Sequence, residues 1–192
     1  MLNDRTSLLS YLATRRSARP RDLVEPGPDP DQLRNILEIA ARSPDHGKLA
    51  PWRFVHVARD RRPAFAGMLE AAYRAGKADP PSRVEIEAVH RFAAQAPELV
   101  VLLSSPVEGT KIPVWEQELS CGAAGMNLLH AAAAMGFGGG WVTGWAAYSP
   151  QVLEALGGQE PERVAGFLFL GTSAVELEER MRPALEDVMR AW

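Results

Sequence analysis

The chain has 192 residues, 46% of them apolar and 23% charged, and a net charge of −3. That composition excludes a disordered or fibrous chain, and the acidic balance argues against a dedicated nucleic-acid binder. The length suits one domain, 1–192, with a core that needs no metal or disulfide staple. The one cysteine, Cys121, forms no internal disulfide and no cysteine-based zinc site, and it points to a reducing compartment, the cytoplasm. Met1-Leu2-Asn3-Asp4-Arg5 is not expected to open a secretory signal.

In chain order, Asp4 or Ser7 caps a short first helix with Leu8 and Leu12 on one face, which ends before Pro20. A proline-rich connection leads to Asp29-Pro30, an N-cap with proline at the first helical position. Leu33, Ile36, Leu37 and Ala40 then repeat at helical spacing, and Pro44 ends the helix near Ser43. Trp52 to Ala58 reads as a strand. Arg61 to Ala78 and Ser82 to Gln95 read as two amphipathic helices, the second opening on a Ser82/Glu85 capping box. Leu99 to Leu103 has the length and continuous apolarity of a strand buried on both faces.

Trp115 to Met135 predicts a helix about 30 Å long, apolar nearly all round after its first turn and so buried on all sides. No formal charge occurs from Leu119 to Leu153. The run contains Asn127, His130 and Gly138-Gly139-Gly140, so it reads as a buried helix and a strand rather than a membrane span. Trp141 to Trp145 is a short strand, Ser149-Pro150 opens a helix ending at Gly157-Gly158, and Val164 to Leu170 is a further buried strand. Val175 to Arg182 has helix-forming composition. Few strands among many helices, without strict alternation, indicate an α+β layer arrangement.

The chain lacks a phosphate loop and a nucleophile elbow, and its four histidines lack metal-ligand spacing. Three patches carry potential chemistry. Arg15-Arg16-Ser17-Ala18-Arg19 puts three guanidinium groups and a hydroxyl in five residues, a set that matches phosphate oxygens but also a solvated helix end. Arg42 to Trp52 is a polar loop in which Gly47 permits close backbone approach; an ordinary connection would look similar. Gly136 to Gly144 holds five glycines in nine residues, with Trp141 and Trp145 as flat surfaces. That stretch fits a planar cofactor held by backbone groups, and it equally fits a tight turn.

Taken in order, these patches resemble the FMN-dependent nitroreductase family, in particular its short single-domain members. The matching motifs are Arg15-Arg16-Ser17, Ser43-Pro44-Asp45-His46 with Pro51-Trp52-Arg53-Phe54, and Trp115-Glu116-Gln117-Glu118. Gly136-Phe137-Gly138-Gly139 with Trp141, and Gly166 to Thr172, complete the set. The resemblance implies a central, mostly antiparallel sheet flanked by helices, in an intertwined homodimer whose tail, 174–192, reaches the partner. It implies FMN as cofactor, NAD(P)H as co-substrate and a nitroaromatic, quinone or similar small molecule as acceptor, with ping-pong turnover. An FMN-dependent oxidase or a non-catalytic flavin binder remains an alternative. By the same similarity Arg15, Arg16 and Ser17 hold the phosphate and ribityl end, and Arg19 lies near the flavin pyrimidine. Arg42 and His46 reach the flavin held mainly by the partner, Trp141, Val142 and Thr143 line the ring, and Arg180 and Arg182 face the phosphate. No side chain is expected as acid or base, because the flavin carries the chemistry. Many members have Asn at the Lys48 position and Gln at Ala50.

Overall fold

Leu99 to Leu103 has no exposed surface at all, and the reason lies in what covers each face of its strand. The computed structural model describes all 192 residues. They fall into two compact units, Ser17–Ala174 and a smaller one made of Met1–Arg16 with Val175–Trp192. In chain order the elements are α1 (Leu8–Thr14), β1 (Leu23–Val24), α2 (Pro30–Ala40), β2 (Trp52–His56), α3 (Arg62–Ala75) and α4 (Arg83–Ala94). There follow β3 (Glu98–Ser104), α5 (Val114–Ala134), β4 (Gly138–Val142), α6 (Pro150–Ala155), β5 (Arg163–Ser173) and α7 (Leu185–Val188).

The larger unit is built on an antiparallel sheet in the order β1-β5-β3-β2, with β4 also paired to β5. Side chains alternate across it. Val100, Leu102, Leu168 and Leu170 pack with Leu33 and Ile36 of α2 and Cys121 and Leu128 of α5. On the opposite face Phe92 of α4 stands edge-on to Phe167 and Phe169 at 5.2 and 5.4 Å, and Phe65 of α3 meets Phe167 at 6.5 Å. The sheet is thus a middle layer, which is why β3 and β5 read as unbroken apolar runs. Each fully buried valine, leucine, isoleucine or phenylalanine among them contributes roughly 1.5–3 kcal/mol.

The helix starts follow their caps. Asp29 and Ser82 each complete a capping box, with Gln32 and Glu85. Of the two candidates for α1, Ser7 is the cap, accepting from the Ser10 N–H, while Asp4 accepts from the Thr6 N–H. Arg62 is a buried guanidinium that the sequence did not single out. It donates to the carbonyls of Val57, Ala93, Gln95 and Pro97, tying the start of α3 to the approach to β3.

Three expectations are corrected. The glycine-strand region begins at Gly138 rather than Trp141, and Trp145 belongs to a 3-10 turn, Trp145–Tyr148. Glycine is a poor strand former, but neighbours demand it here: a Cβ at Gly139 would fall 2.8 Å from Leu129 and one at Gly140 2.5 Å from the Ala18 carbonyl. Val175 to Arg182 is not helical. Its Glu178 carbonyl accepts from Arg16 Nε at 2.8 Å, and the short helix α7 follows Pro183 instead. On α1 Leu8 and Leu12 share one face, as expected; both are exposed, and Tyr11 is the buried residue. Finally, α5 is not covered on all sides by its own chain: Leu119, past the first turn, is 55% exposed.

Candidate functional site

The outer edge of β4 carries the last three residues of the first patch. The Ala18 N–H donates to the Gly139 carbonyl at 3.0 Å, so Ser17-Ala18-Arg19 runs beside the glycine strand. A Cβ on Gly140 would strike both the Ala18 carbonyl and Pro20. Arg19 is extended and exposed, and Pro20–Asp22 then turns the chain into β1. These glycines let one backbone approach another, rather than leaving peptide groups bare along the whole stretch.

Within the smaller unit the chain gathers Arg15, Arg16 and Arg182, although the tail lies more than 160 residues away. Arg182 Nη2 donates to the Arg15 carbonyl at 3.0 Å. Asn3 brackets Arg16, accepting from its N–H at 2.8 Å and donating to its carbonyl at 2.9 Å. Arg180 is exposed, and its N–H is bonded to the Glu179 carboxylate.

The second patch is a clamped loop. Ser43 is buried; its hydroxyl donates to the Ala40 carbonyl and accepts from Asn127 of α5 at 2.9 Å. The Asp45 carboxylate accepts from the Ala50 N–H at 2.7 Å. Between them Gly47, Lys48 and Ala50 all have positive φ, +82°, +58° and +47°. Asn tolerates that conformation better than Lys, so Lys48 is a strained choice at this position. Arg42 is exposed at the loop entrance, and His46 Nδ1 lies 2.7 Å from Glu116 Oε2.

The third patch divides in two. The Trp141 indole is spent in the interior: Nε1 donates to the Ala165 carbonyl at 3.0 Å, and the ring fills the space over Gly125 and Gly166. The ring is partly buried there, packed among these glycines. Thr143 and Gly144, past the strand end, are exposed, and a Cβ on Gly144 would meet nothing within 4 Å. A cavity of about 290 Å³ adjoins this end, lined among others by Tyr73, Phe92, Thr143 and Trp145.

Cys121 is buried against the Leu103 carbonyl, and burial pushes its thiol up to about 11. His46, His56 and His90 each pair with a glutamate at the surface. The chain gathers no group of three or more His, Cys, Asp or Glu that would hold a metal ion. No helix is long and apolar enough to cross a membrane.

Residues 12–172 match the model of the nitroreductase family. The chain belongs to that family. As a nitroreductase-family member it is an oxidoreductase, and the matched span includes every candidate site residue except Arg180 and Arg182. It is 39% identical over 164 residues to the Escherichia coli (strain K12) protein named "Putative NAD(P)H nitroreductase YdjA", covering 85% of this chain and 87% of that one. A nitroreductase-like family protein from Bacillus cereus shares the fold, with a TM-score of 0.80, 21% identity and coverage of 100% and 99%. A nitroreductase with bound FMN from Bacteroides fragilis aligns with a TM-score of 0.69 and 25% identity over 92% of this chain and 94% of that one.

Proposed function

We propose that this nitroreductase-family protein is an FMN-dependent oxidoreductase that takes hydride from NAD(P)H and reduces nitroaromatics, quinones or similar electron-poor acceptors in ping-pong turnover. The observation that carries the reading is the alignment of Ser17-Ala18-Arg19 along β4. On that register Ser17-Ala18-Arg19 lies beside Gly138 to Gly140, and the exposed Thr143-Gly144 backbone follows the end of the strand.

The residues fit FMN. Arg15, Arg16 and Arg182, drawn together in their unit, would meet a dianionic phosphate, with the Ser17 hydroxyl as a further donor. Arg19 would set positive charge near the pyrimidine. The peptide groups at Val142, Thr143 and Gly144 would orient the ring edge, because no side chain crowds Gly144. Arg42 and His46 would serve the flavin held mainly by the other subunit, and Arg180 would add charge at the phosphate. When bound, FMN supplies the redox chemistry, while the protein supplies orientation and charge. The names of the Escherichia coli and Bacteroides fragilis relatives support both cofactor and co-substrate.

We read the working form as a homodimer, with the tail 174–192 reaching the partner. Its support is apolar surface that the subunit leaves in water: Trp115 and Leu119 on α5, and Met181, Val188 and Trp192 in the tail. The cytoplasm is the expected compartment, supported by the single buried thiol. The visible spectrum of the purified protein tests the function. Flavin bands that bleach on anaerobic NADH or NADPH, and return when a quinone is added, are expected. A protein that takes up no FMN, or holds flavin that neither nucleotide reduces, overturns the reading.

A further inference from the structure

The motif Trp115-Glu116-Gln117-Glu118 opens α5, and two of its members bond to two different loops. Glu116 Oε2 stands 2.7 Å from His46 Nδ1. Gln117 is only 2% exposed, although its amide is fully polar. Its Oε1 accepts from the Val107 N–H at 2.7 Å, and its Nε2 donates to the carbonyls of Val107 and Ile112, each at 3.2 Å. One side chain therefore fixes both ends of the 107–112 loop.

Ile112 carries that order onward. Its Cδ1 occupies the place where a Cβ on Gly47 would sit, 2.3 Å away. Gly47 is the first of the positive-φ residues in the 46–50 stretch. A loop with three left-handed residues does not hold that form by local preference, since each non-glycine there is disfavoured. Contacts from outside must hold it. On the α5 side these are Asn127 on Ser43, Glu116 on His46, and Ile112, itself held by Gln117, on Gly47.

We infer that Glu116 and Gln117 are positioning residues for the cofactor loop: Glu116 fixes the His46 imidazole, and Gln117 fixes the backbone at Gly47 through Ile112. The inference rests on the reading above, that the loop of Arg42 and His46 serves FMN. The His46–Glu116 pair is exposed, 68% and 45%, so it adds little to fold stability, and its effect falls on where the imidazole stands.

The test is a double-mutant cycle on FMN affinity, read by flavin fluorescence in protein stripped of cofactor and recombined. Glu116→Ala should weaken FMN about threefold to tenfold, the scale of one polar contact. Glu116→Gln, which still accepts from Nδ1–H, should recover most of that loss. In a His46→Ala background Glu116→Ala should have no further effect. Ile112→Ala breaks no hydrogen bond and should raise amide hydrogen exchange at 47–50 while weakening FMN to a similar extent. If Glu116→Ala weakens FMN as much without His46 as with it, or has no effect while His46→Ala does, the positioning role is wrong. If His46→Ala itself leaves FMN affinity unchanged, it is the reading of the loop as a cofactor loop that fails.

Discussion

Trp141 lies against Gly166 so closely that a Cβ on the glycine would fall 1.9 Å from the indole nitrogen. The same ring would stand 2.3 Å from a Cβ on Gly125 of α5. One side chain thus bolts β4 to β5 and to the long helix, and so sets where the strand delivers Thr143. Gly166→Ala should cost about 3 kcal/mol, because a backbone-fixed methyl meets a ring that cannot retreat. Trp141→Phe alone should cost about 1–2 kcal/mol through the lost bond to the Ala165 carbonyl. The double variant should cost less than the sum, since phenylalanine removes the atoms nearest the new methyl. Urea unfolding midpoints measure all three.

Lys48 has a φ of +58° in the clamped loop, a conformation that costs an L-residue roughly 1–2 kcal/mol. Lys48→Asn should therefore stabilise the protein by about 0.5 kcal/mol. A small upward shift in thermal midpoint is the expected result, and a fall would mean that the lysine side chain makes a compensating contact.

Glu162 holds Arg53 through both carboxylate oxygens, at 2.7 and 2.8 Å from Nε and Nη2. Chiefly the hydrogen bonds from Arg53, aided by Ser105 and the Gln159 N–H, hold the Glu162 carboxyl down at about 2, below the ordinary 4.5. The folded state thus binds its proton less readily than the unfolded chain. Its stabilisation is full above about pH 4.5 and is lost as pH falls toward 2. Glu162→Gln should flatten that acid limb and lower stability at neutral pH by on the order of 1–2 kcal/mol after solvent screening. Denaturant melts of both proteins between pH 7 and the acid limb check the sign.

Arg15→Ala should weaken FMN by roughly 1.5–3 kcal/mol, about tenfold to a hundredfold, as expected for a charge-assisted bond to phosphate. Riboflavin lacks the phosphate, so it should bind the variant and the unsubstituted protein alike. Equal weakening of both ligands in fluorescence titrations would make Arg15 structural.

The layers were legible because the apolar runs at 99–103 and 164–170 admit no other place than the middle of a sandwich. The caps at Asp29 and Ser82 were legible because they are local chemistry. What sequence left hidden is what distance in the chain conceals. Nothing at 141 says that its indole turns inward onto glycines at 125 and 166. Nothing in Val175–Arg182 says that Arg16 takes a carbonyl there, which leaves helix propensity without effect. Arg62 looked like any charge at a helix start, and only the four carbonyls converging on it explain its burial. The order of motifs, not any one of them, carried the family.

The proposed flavin site is completed by two subunits, with Arg15 of one serving the same FMN as Arg42 of the other. A differentially tagged mixed dimer of Arg15→Ala and Arg42→Ala protomers tests it, using FMN and dialysis conditions under which each variant homodimer retains no flavin. In the mixed dimer one site would carry both lesions and the other neither. Bound flavin near one per dimer is the predicted result. A value near zero would mean that both residues serve a site within one chain, and would contradict the account.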